Sequence, residues 1–283
     1  NSAAELANKT RRLFSLPALY LTFSRFLNDE HSPVDQMAEL IALDAALSAR
    51  LLKIANSSFY NFPANIETIP RAIMLIGSEE LASLVLATSV ASSFSGISPE
   101  LIDMDSFWRH NVDTGLVARQ LGKAAKQPDV ERLFVIGLLH NIGKLMVLSE
   151  YPEKVKQILE GPADQLPWLK EQQVLGFTFA ECGAELIKLW QLPNTMVDAV
   201  RWQHEPRKAE VDDAVAALLH IASRAASWMD QETKDEEQLD FFQLIDPWVW
   251  ERTGLELNDM DEAIEFAQIE AWNILGLITA SVH

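Results

Sequence analysis

A chain of 283 residues, 48% of them hydrophobic, is long enough for one large domain or two smaller ones with a sizeable core. Its formal charge of −18 repels a phosphate backbone across most of the surface and disfavours direct nucleic-acid binding. The single cysteine, Cys182, excludes an internal disulfide and a cysteine-built zinc cluster, and reads as a small buried hydrophobe.

Taken in chain order, the hydrophobic spacing is helical almost throughout. "MAELIALDAALSARLLKIA" places Leu40, Leu43, Leu47, Leu51 and Ile54 on one helical face, and no persistent alternation at period two appears. Turn chemistry predicts breaks at 56–70, 95–100, 126–129, 160–167, 192–194 and 204–213, separating helices of about ten to twenty residues. The acid-rich run around 229–240 reads as a linker, and 241–283, with Trp248, Trp250 and Trp272, as a helical extension docking on the body as a cap. No apolar run reaches the roughly eighteen uncharged residues of a membrane span, and no signal pattern precedes Leu13, so a cytoplasmic protein without membrane contact is expected. No fixed repeat, Gly-rich phosphate loop or nucleophile elbow is found.

Chemistry is limited to a few polar points in or beside apolar helices: His110, the His140-Asn141 pair, His204 and His220. A lone histidine on such a helix is more often a hydrogen-bonded core residue than a ligand. A divalent site built from helices needs converging imidazoles and carboxylates, and Asn141 offers only a neutral amide oxygen where an anion would bridge metals.

Several stretches together resemble the HDOD family, bacterial signalling domains related to the HD and HD-GYP phosphohydrolases. "LPALYLTFSRFLND" is similar to its opening helix, and "IALDAALSARLLKIANSSFYNFPANIETIPRAIMLIGSEEL" to its most diagnostic stretch, with Ala45 where proline is usual. "FWRHNVDTGLVARQLG", "GLLHNIGKLMVL" and "LGFTFAECGAELIKLWQLPNTMVDAVRWQHEP" resemble the first-histidine helix, the HD helix and the helical pair that follows. The resemblance spans about residues 11–228 and implies an all-α, multi-helix HD-like bundle. It would comprise an N-terminal helical part (11–98), an HD-like part (99–228), an acidic linker (229–240) and a C-terminal extension (241–283).

Carried over residue by residue, the phosphohydrolase pattern places His110 and His140 at ligand positions. Asn141 stands for the bridging aspartate, Phe179 for a common histidine, Gln203 and His204 for a histidine pair, and Ser223 for the last aspartate. No carboxylate of that set remains, so no catalytic residue, metal or cofactor is assigned. Asp113, Glu181 and Glu205 are the candidate substitute ligands; with them the chain would be a divergent metal-dependent phosphohydrolase acting on a nucleotide or phosphodiester. A metal-free route with one histidine as general base lacks a marked oxyanion stabiliser. The first expectation is therefore a non-catalytic signalling module with protein partners or a small ligand in the old pocket. Phe59 and Tyr60, in an irregular loop, are its candidate interaction residues.

Overall fold

The computed structural model describes residues 2–16, 20–23, 34–94, 96–98, 100–161, 165–231 and 242–279. Among these the regular structure is α-helical, with one short 3-10 turn and no strand, as the spacing predicts. Most of "LPALYLTFSRFLND" and of the acidic run lies outside the described residues.

Contacts divide the chain into two units: Asn1–Phe14 with Ile97–Gln268, and Ser15–Gly96 with Ile269–His283. The first residues, with helix α1 (Ala3–Thr10), thus group with the HD-like part. The helix Leu257–Thr279, in the expected C-terminal extension, is continuous across the division at 268–269.

In the second unit, helices α2 (Val34–Ala42), α3 (Ala45–Ala55), α4 (Ile69–Ile76) and α5 (Ser78–Ser93) pack on one another. Asp44 starts α3 by accepting the Leu47 N–H at 2.9 Å, and Thr68 caps α4 ahead of Pro70. The loop between them is closed by one side chain: the Asn56 amide donates to the Ile66 carbonyl at 2.7 Å and accepts the Ile66 N–H at 2.6 Å. Phe59 is buried beneath it, edge-on to Tyr60, which stacks on Phe62 with centroids 5.7 Å apart. Of the two candidate interaction residues, Phe59 is thus buried and Tyr60 half-buried. Ser58 donates to Glu270 at 2.5 Å within the same unit.

The first unit holds the longer core. Helix α6 (Met104–Ala124) packs against α7 (Val130–Leu139) and against α13 (Asp213–Met229). Between α7 and α13 run α8 (Ile142–Glu150), α9 (Pro152–Leu159), α10 (Pro167–Leu175), α11 (Phe179–Leu189) and α12 (Asn194–Arg201). A buried ion pair, Arg119 to Glu131 at 2.8 Å, ties α6 to α7, and the Trp190 indole donates to the Phe14 carbonyl at 2.9 Å. The stretch Val130–Glu150 is long and apolar enough to cross a membrane by length and composition alone, although Glu131, Arg132, Lys144 and Glu150 keep it short of eighteen uncharged residues. Its apolar window is 78% buried inside the protein, the condition of a core element.

Candidate functional site

The apolar run 132–151 breaks at His140-Asn141: α7 ends at Leu139, α8 begins at Ile142, and Asn141 stands at the N-cap without a side-chain capping bond. Glycines three residues to either side fix the break in space. A Cβ on Gly137 would lie 2.5 Å from the Gly115 Cα, and one on Gly143 would lie 2.0 Å from the Phe179 carbonyl oxygen. Only glycines allow α7 to approach α6, and α8 to approach α11, this closely. His140 is held where these two contacts meet.

The His140 Nδ1 donates to the Gly137 carbonyl at 2.6 Å, which leaves its Nε2 as an acceptor. Burial first, and then neighbouring His110, pushes the His140 pKa down to about 3, so the ring is neutral. His110 Nε2 lies 3.2 Å from His140 Nε2, and His110 Nδ1 lies 2.6 Å from Asp230 Oδ2. The result is a hydrogen-bonded chain, Asp230 to His110 to His140 to Gly137.

The remaining predicted positions are engaged with protein groups. Gln203 Nε2 donates to the carbonyls of His140 (2.9 Å) and Val200 (3.0 Å). The Gln203 carbonyl accepts from His220 Nδ1 at 2.8 Å, and His220 Nε2 accepts the Asp246 N–H at 3.1 Å. Burial, then Arg224, pushes the His220 pKa to about 3, so His220 is a satisfied neutral core residue. His204 stacks on Trp168 with centroids 4.4 Å apart, and burial holds its pKa well below the usual histidine value. Ser223 donates to the His220 carbonyl at 3.2 Å and accepts from Arg224 at 3.0 Å. Phe179 is buried, and its N–H donates to Glu171 at 2.7 Å.

None of the three candidate substitutes joins the histidines. Asp113 is buried outside the cavity and accepts from Arg109, four residues earlier, at 2.8 Å; burial raises its pKa to about 6. Glu181 forms the capping box of α11 with Thr178. Glu205 is exposed and pairs with Lys208 at 2.8 Å. Replacing Thr178 by Ala should cost about 1 kcal/mol in urea unfolding through loss of that cap. An unchanged midpoint would show that the box contributes nothing.

A cavity of about 610 Å³ opens over this centre, lined by His110, His140, Asn141, Lys144, Trp168 and Arg224 among others. The sequence reading missed Lys144, Trp168 and Arg224. Arg224 was the most legible of them, as a lone base in the apolar run "HIASRAAS". The metal that the HD pattern implies does not fit these donors. The two histidine Nε2 atoms bond each other, Asn141 offers an amide, Phe179 has no ligand atom, and the Gln203 amide nitrogen is spent on carbonyls. Asp230 meets the far nitrogen of His110, so it does not face the Nε2 pair. Among the described residues no group of three or more His, Cys, Asp or Glu side chains is placed to hold a metal ion.

Residues 13–206 match the family model of the HDOD domain. This chain belongs to the HDOD family. The match includes His110, His140 and His204 and stops short of Ser223. A solved structure from Shewanella amazonensis SB2B, provisionally named a phosphohydrolase, shares 26% identity and a TM-score of 0.74, covering 100% of this chain and 99% of that one. An HDOD domain protein of unknown function from Geobacter sulfurreducens has 19% identity and a TM-score of 0.74, over 98% of this chain and 97% of that one. It supports the HD-like all-helical fold alone. An uncharacterized protein of Treponema pallidum (strain Nichols) is 25% identical over 94% of this chain. This HDOD chain spans about half the length of that relative, 53%.

Proposed function

We propose that this HDOD chain is a non-catalytic regulatory module of bacterial signal transduction, acting through protein partners or a small ligand. The observation that carries this reading is the direct His110–His140 hydrogen bond at 3.2 Å, at the positions where the HD pattern would put metal ligands. Protein groups close the centre: Asp230 bonds His110, the Gly137 carbonyl orients His140, and Gln203 spans the carbonyls of His140 and Val200. These bonds hold α6, α7 and the turn after α12 in register without a metal, as buried polar networks do when every member is satisfied. Phosphodiester hydrolysis at neutral pH needs an activated hydroxide and a Lewis acid, and the donors here are suited to neither.

A divergent phosphohydrolase is the second reading, favoured by the Shewanella structure that covers the whole chain at 26% identity. The two separate in one assay. Purified protein is incubated with bis(p-nitrophenyl) phosphate and with nucleoside monophosphates, in the presence of manganese, ferrous iron or magnesium. No turnover above the buffer rate is expected. Metal-dependent turnover that disappears in a His110→Ala, His140→Ala double variant would overturn the non-catalytic reading.

A further inference from the structure

Arg224 is 3% exposed, lies in the middle of α13 and lines the cavity. Its hydrogen-bond partners are all neutral: the Gln203 carbonyl at 3.2 Å, the Ser223 hydroxyl at 3.0 Å and His204 Nδ1 at 3.4 Å. The guanidinium carbon lies 5.0 Å from the centre of the Trp168 ring, and Nε is buried with no hydrogen-bond acceptor among the described residues. A guanidinium buried among neutral acceptors retains much of its desolvation cost.

Lys144, in the first turn of α8, lines the same cavity without a direct ion pair among the described residues, though Glu171 and Asp230 lie near enough to act on its charge. The acids of the wall are committed elsewhere. Asp103 caps α6, Glu171 accepts the Phe179 N–H at 2.7 Å, and Asp230 bonds His110 at 2.6 Å. Asn141 and Ser223 contribute no charge. In a chain with a net charge of −18, this cavity presents two buried or half-buried cations, neither of them directly ion-paired among the described residues.

We propose that the cavity binds a small molecule with a terminal oxyanion, a phosphate or a carboxylate, taking Arg224 and Lys144 as its countercharges. The body of the ligand rests on the apolar wall of Phe107, Ile158 and Trp168. This inference rests on the non-catalytic reading of the centre: the protein's own cations, in place of a metal, receive the anion. A volume of about 610 Å³ suits a metabolite-sized ligand.

The test uses the full chain treated with chelator, with inorganic phosphate and acetate as separate probes against chloride at matched ionic strength. Thermal unfolding and tryptophan fluorescence are followed. At least one probe should raise Tm by a few degrees over chloride, with saturable fluorescence. Phosphate alone would identify a phosphorylated ligand, and acetate alone a carboxylate. Lys144→Met should weaken the apparent affinity about tenfold, and Asn141→Asp, which places a like charge in the wall, by a similar factor. Arg224→Gln should abolish the effect. Because Arg224 is buried, the two variants at 141 and 144 decide the matter should that one misfold. Equal behaviour of both probes and chloride, or an affinity unchanged in Lys144→Met and Asn141→Asp, would overturn the inference and leave the non-catalytic reading standing. An anion effect that exists only before chelation would overturn both.

Discussion

Gly137→Ala is expected to destabilise the protein by about 3 kcal/mol and to part the two central histidines. The added Cβ would lie 2.5 Å from Gly115 Cα, 2.6 Å from Gly115 N and 2.8 Å from the Thr114 carbonyl carbon. All three atoms are backbone, so no side chain can rotate away and α6 must separate from α7. His110 is carried by α6 and His140 by the end of α7, so their 3.2 Å hydrogen bond stretches with the separation. Gly276→Ala is the control, since its Cβ would meet nothing within 4 Å. In a helix interior that change should be neutral or stabilising by up to about 1 kcal/mol. Urea unfolding of the two variants checks the argument. Equal midpoints would show that the glycine contact does not set the helix separation.

The second expected result is a pH profile in which buried histidines and buried acids act against each other. His140 and His220 have pKa values near 3 in the folded protein, against about 6.5 when unfolded. Between those values the unfolded chain binds protons that the folded chain refuses. Each histidine therefore removes about 1.4 kcal/mol of stability per unit as the pH falls. Glu171 runs the other way: burial raises its folded pKa to about 7 from 4.5, so the folded state takes the proton first. Asp113, raised to about 6 from 3.8, behaves likewise. From about pH 6 to 4.5 the two acids offset two of the histidines. His204, also held well below its usual value by burial, leaves the balance on the histidine side, and below that range the acids drop out and stability falls more steeply.

Glu171→Gln isolates one arm of this balance. It should be more stable than the natural protein by about 3 kcal/mol at pH 8, where the buried carboxylate is charged. That advantage should shrink toward zero near pH 4.5. Urea unfolding across this range measures it, and an advantage independent of pH would refute the assignment.

Helix positions were legible because hydrophobic periodicity and turn residues agreed along the chain, and the caps seen in the structure fit them. Asp44, Thr68, Asp103, Asp129, Thr178 and Asp212 each stand at a helix start and accept a backbone N–H there. The break at His140-Asn141 was not legible as a helix boundary, because the apolar residues on both sides keep helical spacing and no proline marks the turn. Its cause lies in Gly137 and Gly143, whose partners Gly115 and Gly183 are distant in sequence. The substitute ligands failed for local reasons. Asp113 shares a helical neighbourhood with His110, but Arg109 reaches it first, and Glu181 is used by the cap of its own helix. Phe59 was not legible as buried, because its loop is rich in Asn, Ser and Pro, whereas the Asn56–Ile66 bonds close that loop and Phe59 is 3% exposed. Arg224 was passed over because the HD pattern drew attention to its neighbour, Ser223.

Metal content is the most direct test of the central claim. Protein purified without chelators or an affinity tag is analysed by mass spectrometry for iron, manganese and zinc. The hydrogen-bonded His110–His140 centre predicts far less than one metal ion per chain. Near-stoichiometric metal, lost on replacing His110 and His140, would contradict it and place a working metal site where a metal-free network is described.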